Sequence, residues 1–132
     1  MSSKSIAEKL QIKPETTVWS SDGKRLALVG ALPPGVRTVK RPDQAAIAIV
    51  FADDAASLRR VLGTHGERLR DAGSLWVAYP KGNKADINRD TVWPVVADLG
   101  MRPISQVAVD ETWSALRFRR IREGEAPFTG GR

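Results

Sequence analysis

The hydrophobic pattern of the chain is clearest in its middle. From Ala45 to Ala52 every residue is apolar, without the alternation that marks a strand wetted on one side. Continuous hydrophobicity over this length predicts a central strand, Ala45 to Phe51, covered by helices on both faces. From Asp53 the period lengthens. Leu58, Leu62, His65, Leu69 and Ala72 recur at helical spacing, with Val61 beside them. Asp53 or Asp54 is suited to cap this helix and Gly73 to end it. Gly63 and Gly66 inside it each cost about 1 kcal/mol relative to Ala, so irregularity is expected there.

Ser74 to Tyr79 predicts the next strand, ended by Pro80, and Lys81 to Asp86 a polar loop. Val92, Val95, Val96 and Leu99 predict a helix starting near Asp90, which places Pro94 close to its first turn, and Gly100 stops it. Ile104 to Val109 and Leu116 to Ile121 read as two strands joined by Asp110-Glu111-Thr112-Trp113-Ser114. A connector this short allows only an antiparallel hairpin.

The N-terminal part is broken more often. Ser5-Ile6-Ala7-Glu8 fits a capping box opening a helix from Ile6 to about Leu10, before Pro14. Thr16 to Trp19 is β-branched and aromatic, as a first strand should be. Asp22 is placed to cap a helix through Leu28. Pro33-Pro34-Gly35 breaks it, and Val36 to Val39 predicts a short second strand. The alternation of strands and helices, closed by a hairpin, predicts a three-layer Rossmann-like α/β sheet of about six strands. The closing hairpin makes one strand antiparallel. One domain over residues 1–122 is expected, followed by a glycine-rich, mobile tail over 123–132.

Composition narrows the chemistry. The 132 residues suit one domain with a real core. There is no cysteine and one histidine, which excludes disulfides and the usual structural zinc sites, so no metal is expected. The first ten residues contain no apolar stretch of signal-peptide length, and no apolar run approaches the ~20 residues of a membrane span. A soluble, cytoplasmic protein without membrane contact is expected. The net charge of +6 favours anionic partners weakly. Its arginines are spread along the chain apart from Arg117, Arg119, Arg120 and Arg122, so specific nucleic-acid binding is not expected.

Two resemblances follow from named residues. Asp43-Gln44-Ala45 through Phe51, and then Leu69-Arg70-Asp71-Ala72-Gly73-Ser74-Leu75-Trp76-Val77, resemble in layout the fourth strand and following turn of S-adenosylmethionine-dependent methyltransferases. On that plan the chain lacks one edge strand and its helix, and the resemblance implies the strand order 2-1-3-4-6-5 with one antiparallel strand. Ala7 to Pro14, Leu75 to Lys81 and Val109 to Leu116 resemble an uncharacterised bacterial family of small domains of unknown function. That likeness implies the fold and leaves activity open. The methyltransferase pattern fails where the cofactor would lie. Ser20-Ser21-Asp22-Gly23-Lys24 follows the first strand in place of a glycine-rich loop. Lys40-Arg41 follows the second strand where an acidic residue would hold ribose hydroxyls. No cofactor of the usual kind is expected.

Candidate sites lie beyond the carboxyl ends of the strands, where strand order reverses. Ser20, Ser21, Asp22, Asp53 and Asp54 would line that crevice, with carboxylates able to hold a hard cation or ribose hydroxyls. The alternative is that Asp22 and Asp53 only cap helices. Lys81, Asn83 and Lys84 precede a helix N-terminus and could favour an anion there, or form a solvated loop. His65 is read as packed on the apolar stripe of its helix. Asp110, Glu111 and Trp113 share a turn, where Trp113 could stack on a ligand ring or close one end of the core. The expected function is a non-catalytic or degenerate methyltransferase-like domain that binds a protein or a small ligand, with self-association left open. The alternative is an enzyme using S-adenosylmethionine or a nucleotide in the strand-end crevice.

Overall fold

The computed structural model describes residues 5–82 and 86–125. Six strands, β1 (Thr17–Ser20), β2 (Arg37–Thr38), β3 (Ile47–Phe51), β4 (Ser74–Pro80), β5 (Met101–Ala108) and β6 (Trp113–Arg120), form one sheet. Its order is β2-β1-β3-β4-β6-β5, as the resemblance to methyltransferases implies. β1 pairs in parallel with β2 and β3, and β3 with β4, whereas β6 runs antiparallel to both β4 and β5. The register Pro80↔Trp113 brings the start of β6 to the carboxyl end of β4. A register shift between Pro103 and Ser105 interrupts the β5 edge.

All five residues of β3 are buried, which accounts for its lack of alternation. One face of the sheet packs against α2 (Ala55–Leu69) and α3 (Arg89–Ala97) through Leu58, Leu62, Val77, Val92 and Phe118. The other face packs against α1 (Ile6–Lys9) and a 3-10 turn, Arg25–Val29, through Leu10, Val29, Ile49, Phe51 and Trp76. No helix of the described residues is long and apolar enough to cross a membrane.

Several boundaries differ from expectation for local reasons. The helix expected after Asp22 is only a 3-10 turn, ended by Gly30 at φ +80°. Gly63 and Gly66 do not interrupt α2. A Cβ on Gly66 would stand 3.1 Å from the Leu99 side chain, so the glycine serves close helix approach. Gly73 is tighter still, since a Cβ there would lie 2.5 Å from the Ala46 carbonyl oxygen. α3 begins at Arg89, capped by Asn88, so Pro94 falls in its second turn and not near its first. β5 starts three residues before Ile104, because Pro103 is tolerated on an edge strand. β6 likewise starts at Trp113, which shortens the connector to residues 109–112. Beyond β6, Glu125 is fixed by Arg102 and Arg119 at 3.0 and 2.7 Å. The rest of the expected tail, residues 126–132, lies outside the described residues.

Candidate functional site

The carboxyl ends of β1 and β3, where the crevice is expected, are joined by short polar bonds. Ser20 Oγ donates to the Asp22 carbonyl at 2.8 Å and accepts from the Asp22 N–H at 3.2 Å. Ser21 Oγ accepts from the Phe51 N–H at 2.8 Å, tying the two strand ends together. Asp22 Oδ1 accepts from the backbone of Lys24 and Arg25, at 3.0 and 3.3 Å, and so opens the 3-10 turn.

That turn delivers Arg25 across the crevice. Its Nη1 lies 2.7 Å from Asp53 Oδ1, and its Nε 3.5 Å from Asp22 Oδ2. The guanidinium stands 5.1 Å from the centroid of the Trp113 ring, a cation–π distance. Trp113 in turn meets Phe51 edge to face, with centroids 6.1 Å apart and planes at 85°. Asp22, Asp53 and Trp113, from three separate segments, are thus joined through one cation. Arg25 is the residue that sequence reasoning missed. The only signal was its spacing of three from Asp22, which acquires meaning once the turn is known.

The remaining candidates divide by role. Asp54 is the N-cap of α2, accepting from the Ser57 N–H at 2.8 Å while Ser57 Oγ accepts from the Asp54 N–H at 3.1 Å. The Ser57 backbone N–H and then its hydroxyl hold the Asp54 carboxyl below its ordinary pKa. Asp53 caps nothing; its carboxylate is given to Arg25. Asp86 Oδ1 accepts from the Ala55 N–H at 2.8 Å, a second carboxylate at the same helix start. Lys81 donates its backbone N–H to Thr112 at 2.8 Å, which binds the β4 end to the hairpin turn. Asn83 and Lys84 lie outside the described residues.

In the hairpin turn, Asp110 Oδ1 accepts from both the Thr112 and Trp113 N–H groups, each at 2.7 Å, and Glu111 is exposed. Trp113 closes the core beside Phe51 at only 9% exposure. His65 packs edge-on to Trp19 at 4.9 Å. Among the described residues no group of three His, Cys, Asp or Glu is placed to hold a metal ion. The arginines of the last strand do not form a stripe. Arg119 pairs with Glu125, Arg120 stands 3.6 Å from Asp71, and Arg117 turns inward to Ser74 and Gln11.

No family model and no curated protein matches the chain. Solved structures do. A candidate tRNA (m1A22) methyltransferase from Streptococcus pneumoniae superposes with a TM-score of 0.58 at 11% identity, over 98% of this chain and 74% of that one. The tRNA (m1A22) methyltransferase TrmK of B. subtilis gives 0.55 at 10% identity, over 96% and 71%. A protein of the NADB-Rossmann superfamily from Streptococcus agalactiae gives 0.56 at 9%, over 98% and 72%. The fold is therefore Rossmann-like and methyltransferase-like. These likenesses correct the expectation of a non-catalytic domain. That expectation rested on Ser20–Lys24 and Lys40-Arg41 standing where a glycine-rich loop and an acidic residue would hold the cofactor, whereas the frame around them matches methyltransferases over nearly the whole chain.

Proposed function

We propose that the domain is an S-adenosylmethionine-dependent methyltransferase whose crevice at the ends of β1 and β3 holds the cofactor. One observation carries the reading. At the point where strand order reverses, two carboxylates and an indole converge on a cation supplied by the chain itself. The cofactor supplies an electrophilic methyl group on a sulfonium and carries an ammonium besides, so a pocket that already holds a guanidinium suits it. Asp22 and Asp53 would hold its positive groups or accept from its hydroxyls. The Trp113 ring gives an apolar wall, and Ser21 fixes the β3 end against which the ligand would lie.

Arg25 has to leave Asp53 for this to happen. Both side chains of the pair are substantially exposed, 31% and 55%, and pairs of that kind contribute roughly 0–1 kcal/mol. The exchange is therefore cheap. Gly23 leaves the loop open, since a Cβ there would meet nothing within 4 Å.

Calorimetric titration with S-adenosylmethionine and with its demethylated product tests the reading. Saturable binding is expected, weakened about tenfold by Asp53→Asn, as loss of one charge-assisted contact implies. Absence of saturation for both ligands, or binding indifferent to Asp53→Asn and Trp113→Leu alike, overturns it.

A further inference from the structure

At the opposite end of the sheet, below the N-terminal ends of β1, β3 and β4, lies a cavity of about 230 Å³. Gln11, Lys13, Thr16, Ser74 and Arg117 line it above Ala46 and Ile47. Two of these side chains are cationic and none is acidic. Among the described residues no carboxylate forms an ion pair with Lys13 or Arg117.

Arg117 is held inward. Its Nη1 donates to Gln11 Oε1 at 3.1 Å and its Nη2 to Ser74 Oγ at 2.8 Å, while its guanidinium stands 6.0 Å from the Trp76 ring centroid. Its Nε is buried without an acceptor. A guanidinium carries five N–H donors and stays charged at any pH a protein meets. A side chain turned out to water would satisfy all of them. The fold instead keeps the charge partly desolvated, with no carboxylate paired to it among the described residues, an arrangement that costs free energy.

Gln11 points the same way. It follows the end of α1 at φ +60°, where its N–H donates to the Glu8 carbonyl and the Ile12 N–H donates to the Ala7 carbonyl. This is a Schellman turn, and glycine is the ordinary residue at that position. An L side chain there costs roughly 1–2 kcal/mol. What glutamine supplies and glycine lacks is the Oε1 that accepts from Arg117.

We infer that this cavity is a binding site for the phosphate group of a small phosphomonoester or of a polynucleotide backbone. Arg117, Lys13, Ser74 and Thr16 bring a guanidinium, an ammonium and two hydroxyls to the lining of one cavity. Such a set matches a tetrahedral oxyanion better than a planar carboxylate, which would use the guanidinium fork alone. The Ser74 hydroxyl accepts from Arg117 and so keeps its own proton to donate. The site shares no residue with the crevice at the other end of the strands and does not depend on what binds there.

Titration of the full chain with inorganic phosphate at constant ionic strength tests the inference. Saturable binding is expected, weakened about tenfold by Lys13→Gln or by Arg117→Gln and unchanged by Asp53→Asn. Should Arg117→Gln fail to fold, Lys13→Gln and Ser74→Ala carry the same test. Adenosine 5′-monophosphate and a short oligouridylate distinguish the sources. Tighter binding of either than of inorganic phosphate, still dependent on Lys13, supports the site and identifies which source it takes. Phosphate binding that does not saturate, or that Lys13→Gln leaves intact, overturns it.

Discussion

Against one face of the sheet lie α2 and α3, of 15 and 9 residues; the helical elements described on the other are the four residues of α1 and a five-residue 3-10 turn. The first face is closed by area. Leu58, Leu69, Val92 and Val96 are at most 1% exposed and present apolar stripes to Ala48, Val50, Leu75 and Val77. The second is closed by shorter elements, through Leu10, Ile12 and Val29 over Ile49, Phe51 and Trp76, with single polar contacts added. The buried Trp76 donates its indole N–H to the Leu10 carbonyl at 3.0 Å, and Arg117 reaches Gln11. Both candidate ligand sites open on this second face, where Trp113, Arg25 and Arg117 are found. Short elements leave room beside a strand end that long helices would fill, and side chains with unused polarity can stay there. The thick face fixes the frame, and the thin face is free to carry chemistry.

That contrast can be broken by experiment. Leu58→Ala on the thick face is expected to cost about 3 kcal/mol in urea unfolding, from lost burial and the cavity left behind. Trp76→Phe is expected to cost about 2 kcal/mol, and its damage should be local. Amide exchange of α1 should accelerate while α2 stays protected. Equal loss of protection in both helices would show that the two faces are not independent in this way.

A smaller effect separates the faces by pH. Arg102 and Arg119 are cross-strand partners in β5 and β6, and Glu125 lies between them. Arg119, by its hydrogen bond, holds the Glu125 carboxyl down to about 2 from its ordinary 4.5. In that interval the unfolded chain binds the proton that the folded chain refuses. The contribution of Glu125 is therefore complete above pH 4.5 and is lost as pH falls toward 2. Glu125→Gln should flatten the acid limb of a stability–pH curve measured by denaturant midpoint. An unchanged limb would mean that the pair adds nothing to the fold.

The smallest expected effect is that of Arg25→Ala, within about 1 kcal/mol of wild type in the same assay, because the pair is exposed. Its ligand affinity should move more than its stability does. A large loss of stability would make Arg25 a structural bridge instead of a displaceable occupant of the crevice.

The thick face was also the legible one. Continuous hydrophobicity placed β3, helical spacing placed α2, and a connector too short for a crossover fixed the antiparallel hairpin, while the strand order followed from the resemblance to methyltransferases. Each of these rests on many residues acting together. What escaped rested on single residues. Arg25 could not be connected to Asp53 before the turn at Asp22 was known to be 3-10. Trp113 closes one end of the core, as one reading of its turn has it, but the turn chemistry of Asp110 and Thr112 hides that β6 begins there, with its N–H on the Asp110 carboxylate. Gln11 stands where a reader looks for glycine, so the end of α1 gave no warning of its geometry.

The interruption between Pro103 and Ser105 has a consequence for how copies of the chain can meet. β5 is one outer strand of the sheet, and there proline removes an N–H and the register shifts. The other outer strand, β2, is only two residues long. Neither margin offers a straight row of free backbone groups, so the sheet resists being extended by a neighbouring strand. Crowded copies of this domain should stay in solution at concentrations where a flat-edged sheet would begin to form fibres.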